Sequence, residues 1–357
     1  MLTQPFLDDA VALLKDLIAT PRVSRQEAAA ADLMEQRMAE WGLNPQREGN
    51  NLWALPSEFD PAKPTLLLNA HIDTVKPVAS WTRDPHRPII EGDRLYGLGS
   101  NDCGGGLVTL LQLFRFGVRS AYNLVYLASS EEEVSGKDGF VRALPVVQSQ
   151  LAELGGQIDV AIVGEPTGLQ PAVAEKGLMV IDGYAHGVSG HAARNEGVNA
   201  IYEALDDLRW LRDYRFPKVS ELLGPTKMSV TQVEAGTQHN VVPDLLHFVI
   251  DVRTNEHYGN EEVLTFLQSQ MRHCELKARS TRLHSSHIPL EHPLIRRCIS
   301  LGLQPYGSPT LSDQALMPFP SLKLGPGESA RSHSADEFIC ISELQRAIDI
   351  YLSIITT

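Results

Sequence analysis

The sequence predicts an α/β protein in which a parallel sheet covered by helices is interrupted by a smaller α+β unit. Short apolar runs ending in polar residues recur at 65–73, 123–130 and 158–166, as buried parallel strands do. Helical spacing of apolar residues appears between strands, the alternation of a parallel α/β layer. Residues 177–284 then change pattern to strand, helix, strand, strand, helix, strand, the order of a ferredoxin-like split unit.

In chain order, residues 8–19 and 26–41 repeat Leu, Ala and Met at helical spacing, with Pro21 in the break between them. "TLLLNAHID" (65–73) is the first buried strand. "GLGSNDCGGG" (97–106) is a glycine-rich loop that opens into the helix "LVTLLQLFRF". "NLVYLASS" (123–130) and "IDVAIVGEP" (158–166) are further strands. In the changed segment, "GLMVIDGYAHG", "KMSVTQVEAG", "LLHFVIDVRTN" and "CELKARSTRLH" read as strands, the third with in/out alternation. "NAIYEALDDLRWLRDY" and "EEVLTFLQSQMRH" read as helices. The expected organisation is a first domain over 1–176, an insertion over 177–284, and a return over 285–357 that ends in the helix "SELQRAIDIYLSII".

A formal net charge of -13 argues against nucleic acid and anionic membrane as partners, because both would be repelled. No apolar run reaches the ~20 residues of a membrane span. The N-terminus lacks a signal peptide's basic flank and apolar run. Cys103, Cys274, Cys298 and Cys340 form no CxxC motif, and so few cysteines fit a reducing compartment. The cytoplasm is the expected location.

Chemistry gathers at the predicted strand ends, where open α/β sheets bind ligands. His71 and Asp73 end one strand, Glu131–Glu133 follow another, Glu165 follows a third, and Asp102 lies in the glycine loop. Imidazole and carboxylates without thiolates suit Zn²⁺, Co²⁺ or Mn²⁺. A divalent ion also offsets the repulsion of adjacent glutamates. Each residue has a bland reading: a surface histidine, a turn aspartate, a helix N-cap at Asp102, a loop acid at Glu165. Their joint occurrence at successive strand ends weakens those readings. A phosphate loop built on Gly97, Gly99 and Gly104 is disfavoured, because Asp102 would repel phosphate and no GK[ST] follows.

With these residues in view, the chain resembles the M20 family of zinc-dependent peptidases and deacylases. "NAHIDTV", "GLGSNDCGGG", "SSEEEVSG", "VGEPTG", "EKG", "GVSGHAA", "NVVPD" and "HSADEF" fall in the family's order across nearly the whole chain. The resemblance implies a zinc-peptidase catalytic domain with a mixed, largely parallel sheet, and an inserted ferredoxin-like lid and dimerisation domain. It implies two Zn²⁺, with Co²⁺ as an alternative. His71 and Glu165 would each bind one zinc, Asp102 would bridge both, and His333 with a glutamate of the run would complete the second. Aligned on Val134, the family pattern makes Glu132 the general base and Glu133 the ligand; a shift to Glu131 and Glu132 stays open. Asp73 would orient His71. His191 matches a histidine that enters the partner subunit's active site in dimeric members. Asn240 and Arg253 match substrate contacts that together hold a carboxylate, and Gly325 and Gly327 match a turn lining the substrate. Their bland readings are a loop histidine and a solvated strand-end arginine.

Cys103 and Gly104 depart from the family, where Met or Leu and then Lys are common; a buried small apolar side chain is the preferred reading of Cys103. The resemblance also implies a cis peptide at Asp102–Cys103. The implied activity is hydrolysis of a small N-acyl amino acid with a free carboxylate, by a homodimer. Acetylornithine deacetylase is the nearest branch, on the "VGEPTG…EKG" and "SDQAL" runs, ahead of succinyl-diaminopimelate desuccinylase and of dipeptidases or carboxypeptidases. A metal-binding relative without catalysis is the alternative of a different class.

Overall fold

The computed structural model describes residues 4–116 and 120–356. They form two compact units: one runs to Val173 and resumes over Ile288–Tyr306 and from Ser312, and the other comprises Ala174–His287 with Gly307–Leu311.

Along the chain, the first unit contains α1 (Gln4–Ala19), α2 (Ala28–Glu40), β1 (Asn51–Ala54), β2 (Thr65–His71), α3 (Gly105–Phe116), β3 (Asn123–Ser129), α4 (Phe140–Glu153) and β4 (Val160–Val163). Within β5 (Ala172–Glu175) the chain passes to the second unit. That unit holds β6 (Met179–His186), α5 (Ala200–Asp213), β7 (Lys227–Ala235), β8 (Leu245–Arg253), α6 (Asn260–Gln270) and β9 (Cys274–Ala278). The return supplies α7 (Pro293–Ser300), β10 (Ser321–Lys323) and α8 (Ile341–Ile355).

The first unit's sheet has the order β1-β3-β2-β4-β10-β5. β3, β2, β4 and β10 are mutually parallel, while β1 and β5 pair antiparallel at the flanks, so the sheet is mixed but largely parallel. Alternate residues of a strand face opposite sides. Leu66, Leu68, Tyr126 and Ile162 therefore join one core with Leu14 and Leu17 of α1, Leu107 and Leu111 of α3, and Ile348 of α8. Leu67, Val125, Leu127 and Ala161 join another with Phe140, Val147 and Leu151 of α4. Burial on both faces is why these strands read as unbroken apolar runs. The short strands of 46–54, and α4, α7 and β10, lie outside the sequence reading. No helix among the described residues is long and apolar enough to cross a membrane.

In the second unit the order is β7-β8-β6-β9, all antiparallel. Met179, Ile181, Phe248, Ile250 and Val252 pack with Ala204 and Leu211 of α5 and Leu267 of α6. Buried Asp207 of α5 accepts backbone N–H groups from Arg272, His273 and Cys274 at 3.0, 2.9 and 2.8 Å, which fixes the entry to β9. Asp207→Ala leaves these donors without their acceptor and is expected to cost about 2–3 kcal/mol in urea unfolding of this unit; an unchanged midpoint would refute this role for Asp207.

Candidate metal centre

Because β3, β2, β4 and β10 are parallel, their carboxyl ends open on one edge of the sheet. β2 ends on His71, β3 leads into Glu131–Glu133, β4 into Glu165, and β10 into the Gly325–Gly327 turn and then His333. Register aligns them: His71 pairs with Ser129, and Asn69 with Val163. The N-terminus of α3 lies directly on the end of β4, since a Cβ on Gly106 would come within 1.7 Å of the Gly164 carbonyl oxygen. That close approach brings in Asp102, followed by a cis Asp102–Cys103 peptide.

Asp102 stands between two imidazoles. Its Oδ1 is 3.3 Å from His71 Nε2 and its Oδ2 is 3.5 Å from His333 Nε2. Glu165 Oε1 is 3.6 Å from His71 Nε2, and both oxygens of Glu133 approach His333 Nε2 at 3.0 Å. His71 Nδ1 meets the backbone carbonyl of Asp73 at 2.9 Å, which leaves Nε2 to face the carboxylates. Asp73 thus orients the ring mainly through its main chain; its Oδ1 is 3.6 Å from Nδ1.

The Asp73 carboxylate instead accepts the N–H groups of Glu132 and Glu133 at 3.0 and 3.2 Å, and the Ser24 hydroxyl at 2.7 Å. Glu131, in a left-handed conformation, donates its N–H to buried Glu27 at 3.2 Å. Its side chain turns away towards the N–H of Asp138. A third buried carboxylate, Glu337, accepts the N–H groups of Gly99, Asn101 and Asp102 at 3.0, 2.8 and 2.9 Å. Sequence reasoning missed Glu27, Glu337 and the buried Arg22. Only Glu337 had a signal, its place inside "HSADEF". Asp313 of "SDQAL" is also buried and accepts from the Ser129 hydroxyl at 2.6 Å.

The electrostatics have one sense. Burial, then the nearby Asp102, pushes Glu165 up to about 8. Burial, with Glu165, Asp313 and Glu133 near, raises Glu132 well above the usual carboxyl range. The hydrogen bond to Glu133 takes His333 up to about 9. Burial opposes charge on His71, but Asp102 and Asp73 outweigh it and raise its pKa. Carboxylates crowded together out of water favour taking up positive charge, as a proton or a cation. Glu165 Oε1 is moreover buried with no hydrogen-bond partner among the described residues. Ligand atoms of His71, Asp102 and Glu133 lie within 4.8 Å of one another, as do those of His71, Cys103 and Glu165. The imidazole and carboxylate groups fit divalent cations in donor type, spacing and charge. Cys103 is buried, its Sγ accepts the His71 N–H at 3.2 Å, and burial pushes its thiol up to about 12, so it packs behind the site as a neutral group.

Gly325 and Gly327 brace the loop after Glu165: the Gly325 carbonyl accepts from Leu169 N–H at 3.1 Å and that of Gly327 from Gly168 N–H at 2.7 Å. In the second unit, exposed His191 pairs with Val241, and Ala192 N–H donates to the Asn240 carbonyl, so His191 and Asn240 are neighbours. Arg253 is not with them. It ends β8, whereas Asn240 lies in the loop before Leu245 begins that strand, about 27 Å of strand away. Both ends of its guanidinium fork are engaged by Asp251, at 2.9 and 3.0 Å. The expectation that Arg253 and Asn240 hold one carboxylate therefore fails within a single protomer, because a strand's length separates them.

Peptidase family M20/M25/M40 matches residues 67–357. A succinyl-diaminopimelate desuccinylase of Xylella fastidiosa (strain M23) is 26% identical over 381 residues, covering 97% of each chain. One of Verminephrobacter eiseniae (strain EF01-2) is 31% identical over 265 residues, covering 65% of this chain and 64% of its own. Among solved structures, an M20 family metallo-carboxypeptidase from Sulfolobus solfataricus superposes with a TM-score of 0.72 at 17% identity, covering 97% of this chain and 98% of that one. A tripeptidase from Staphylococcus aureus superposes with 0.71 at 19%, covering 98% and 97%. At these identities the structures show a shared fold.

Metal ligands must shed their protons. With His333 near 9 and Glu165 near 8 in the metal-free site, both hold protons at neutral pH that a metal has to displace. Apparent zinc affinity should therefore rise from about pH 6 to about pH 8, with proton release seen by calorimetry in buffers of different ionisation enthalpy. A flat profile would contradict this assignment of ligands.

Proposed function

The chain belongs to peptidase family M20/M25/M40, metal-dependent hydrolases of amide bonds, and on that premise we propose that it deacylates a small N-acyl amino acid. The observation that carries this reading is Asp102, whose two oxygens face different imidazoles, with Glu165 beside one and Glu133 beside the other. His71, Asp102 and Glu165 would hold one ion, and Asp102, Glu133 and His333 the second, with Zn²⁺ or Co²⁺ suited to these donors. When bound, the metal pair supplies positive charge that polarises the scissile carbonyl and acidifies a water to near neutral pH.

Glu132 is the base in this reading. Among the described residues no group hydrogen-bonds its carboxylate, whereas Glu133 is held by His333 and Glu131 is turned into its own loop. Glu132 takes the proton from the attacking water and returns it to the departing amine. His191 donates to the developing oxyanion from a partner subunit. Arg253 swings from Asp251 to bind the substrate carboxylate in a planar fork, while Asn240 approaches the same substrate from the other copy, consistent with their separation along β8. A homodimer has support in the second unit itself: β7 is an edge strand with Val233 53% exposed, and α5 leaves Tyr202 70% and Leu205 50% exposed.

The names of the relatives support N-succinyl-diaminopimelate as first substrate. The motif resemblance favours N-acetylornithine and related N-acyl intermediates of arginine or lysine synthesis as the second reading. Release assays over N-acetyl and N-succinyl derivatives of diaminopimelate, ornithine, citrulline and lysine, with zinc or cobalt added, separate the two; no turnover of any of them would sink the deacylase proposal. Glu132→Gln should keep its metal and lose roughly 10²–10⁴-fold in kcat, while Glu131→Gln stays near wild type. The opposite pattern would place the base one residue earlier.

A further inference from the structure

Arg22 lies between α1 and α2 and is only 2% exposed. Its Nη1 donates to the Ile72 carbonyl at 2.5 Å and its Nη2 to the Gly99 carbonyl at 2.9 Å, while Nε has no partner among the described residues. Ile72 separates His71 from Asp73. Gly99 O is also the acceptor that closes the turn carrying Asp102, taking the Gly104 N–H at 3.0 Å. One guanidinium therefore ties together the two backbone segments that carry His71 and Asp102. Space for it is made by glycines: a Cβ on Gly99 would come within 2.6 Å of Nη2, and on Gly104 within 3.2 Å. The segment is further sewn to the end of β2, as Thr74 N–H donates to the Arg22 carbonyl at 2.9 Å and Ser24 N–H to the Thr74 carbonyl at 3.1 Å.

Burying a guanidinium whose Nε–H finds no partner among the described residues is costly, and an apolar side chain of similar volume would fill the space at less cost. What an apolar residue cannot do is hold two carbonyls in a fixed fork, or place positive charge near Asp73, Asp102 and Glu337. We propose that Arg22 is a positioning residue of the metal centre, which sets the spacing between the His71 and Asp102 ligands by bridging the backbone behind them. This rests on the reading that those residues hold metal.

The test compares wild type, Arg22→Lys and Arg22→Met as metal-stripped, folded proteins, in zinc affinity by chelator competition and in unfolding midpoint without metal. Arg22→Met should weaken at least one zinc site about 10–100-fold. Arg22→Lys keeps the charge but has no fork, so its affinity should fall between wild type and Arg22→Met. If Arg22→Met does not fold, Arg22→Lys decides alone. Wild-type zinc affinity in the folded variants, whatever their melting temperature, overturns the inference and leaves the metal centre standing. Failure of wild type itself to bind zinc overturns both.

Discussion

Asp73 is the interaction on which the candidate centre depends. Its backbone carbonyl takes His71 Nδ1, and its carboxylate takes the N–H groups of Glu132 and Glu133. One residue thus sets the ring of His71, the first of the proposed ligands, and the turn that presents Glu132 and Glu133, the proposed base and a further proposed ligand. Burial works against its charge, yet the neighbouring His71 imidazole and hydrogen bonds from Ser24 and the Glu132 N–H keep the carboxyl below its usual range. The same device recurs nearby: Glu27 catches the N–H of Glu131, and Glu337 catches three along the glycine loop. Buried carboxylates that accept main-chain donors are rigid anchors, because each acceptor is satisfied by groups that cannot change rotamer.

That scaffold explains why three adjacent glutamates are tolerated. Their backbone N–H groups all point at acceptors, so their side chains are forced apart. Glu131 returns to its own loop, Glu132 is left without a hydrogen-bond partner among the described residues, and Glu133 reaches His333. Burial first, and then the carboxylates nearby, raise the pKa of Glu132 and Glu165. A cation is the physical complement of such a site, and among the described residues Arg22 is the one arginine buried against it.

The second unit carries its own constraint. In a four-stranded antiparallel sheet, residues at opposite ends of a strand stay apart whatever their side chains do. His191 and Asn240 belong to one end and Arg253 to the other. Motif order placed all three on the substrate. Only the strand between them shows that Asn240 and Arg253 of a single protomer lie a strand's length apart, too far to hold one carboxylate together.

Local pattern was enough for much of this protein. Apolar runs marked β2, β3 and β4, helical spacing marked α1, α2, α3 and α8, and the strand-helix order of 177–284 matched the observed elements. His71, Glu165 and the glutamate run were legible as strand-end chemistry, and His333 from its motif. Tertiary structure decided what no local pattern encodes. Glu27, Arg22 and Glu337 act through backbone groups up to 238 residues away, and backbone donors and acceptors leave no trace in side-chain identity. The separate placements of Glu131, Glu132 and Glu133 likewise depend on which buried acceptor each N–H finds, a matter of packing in three dimensions.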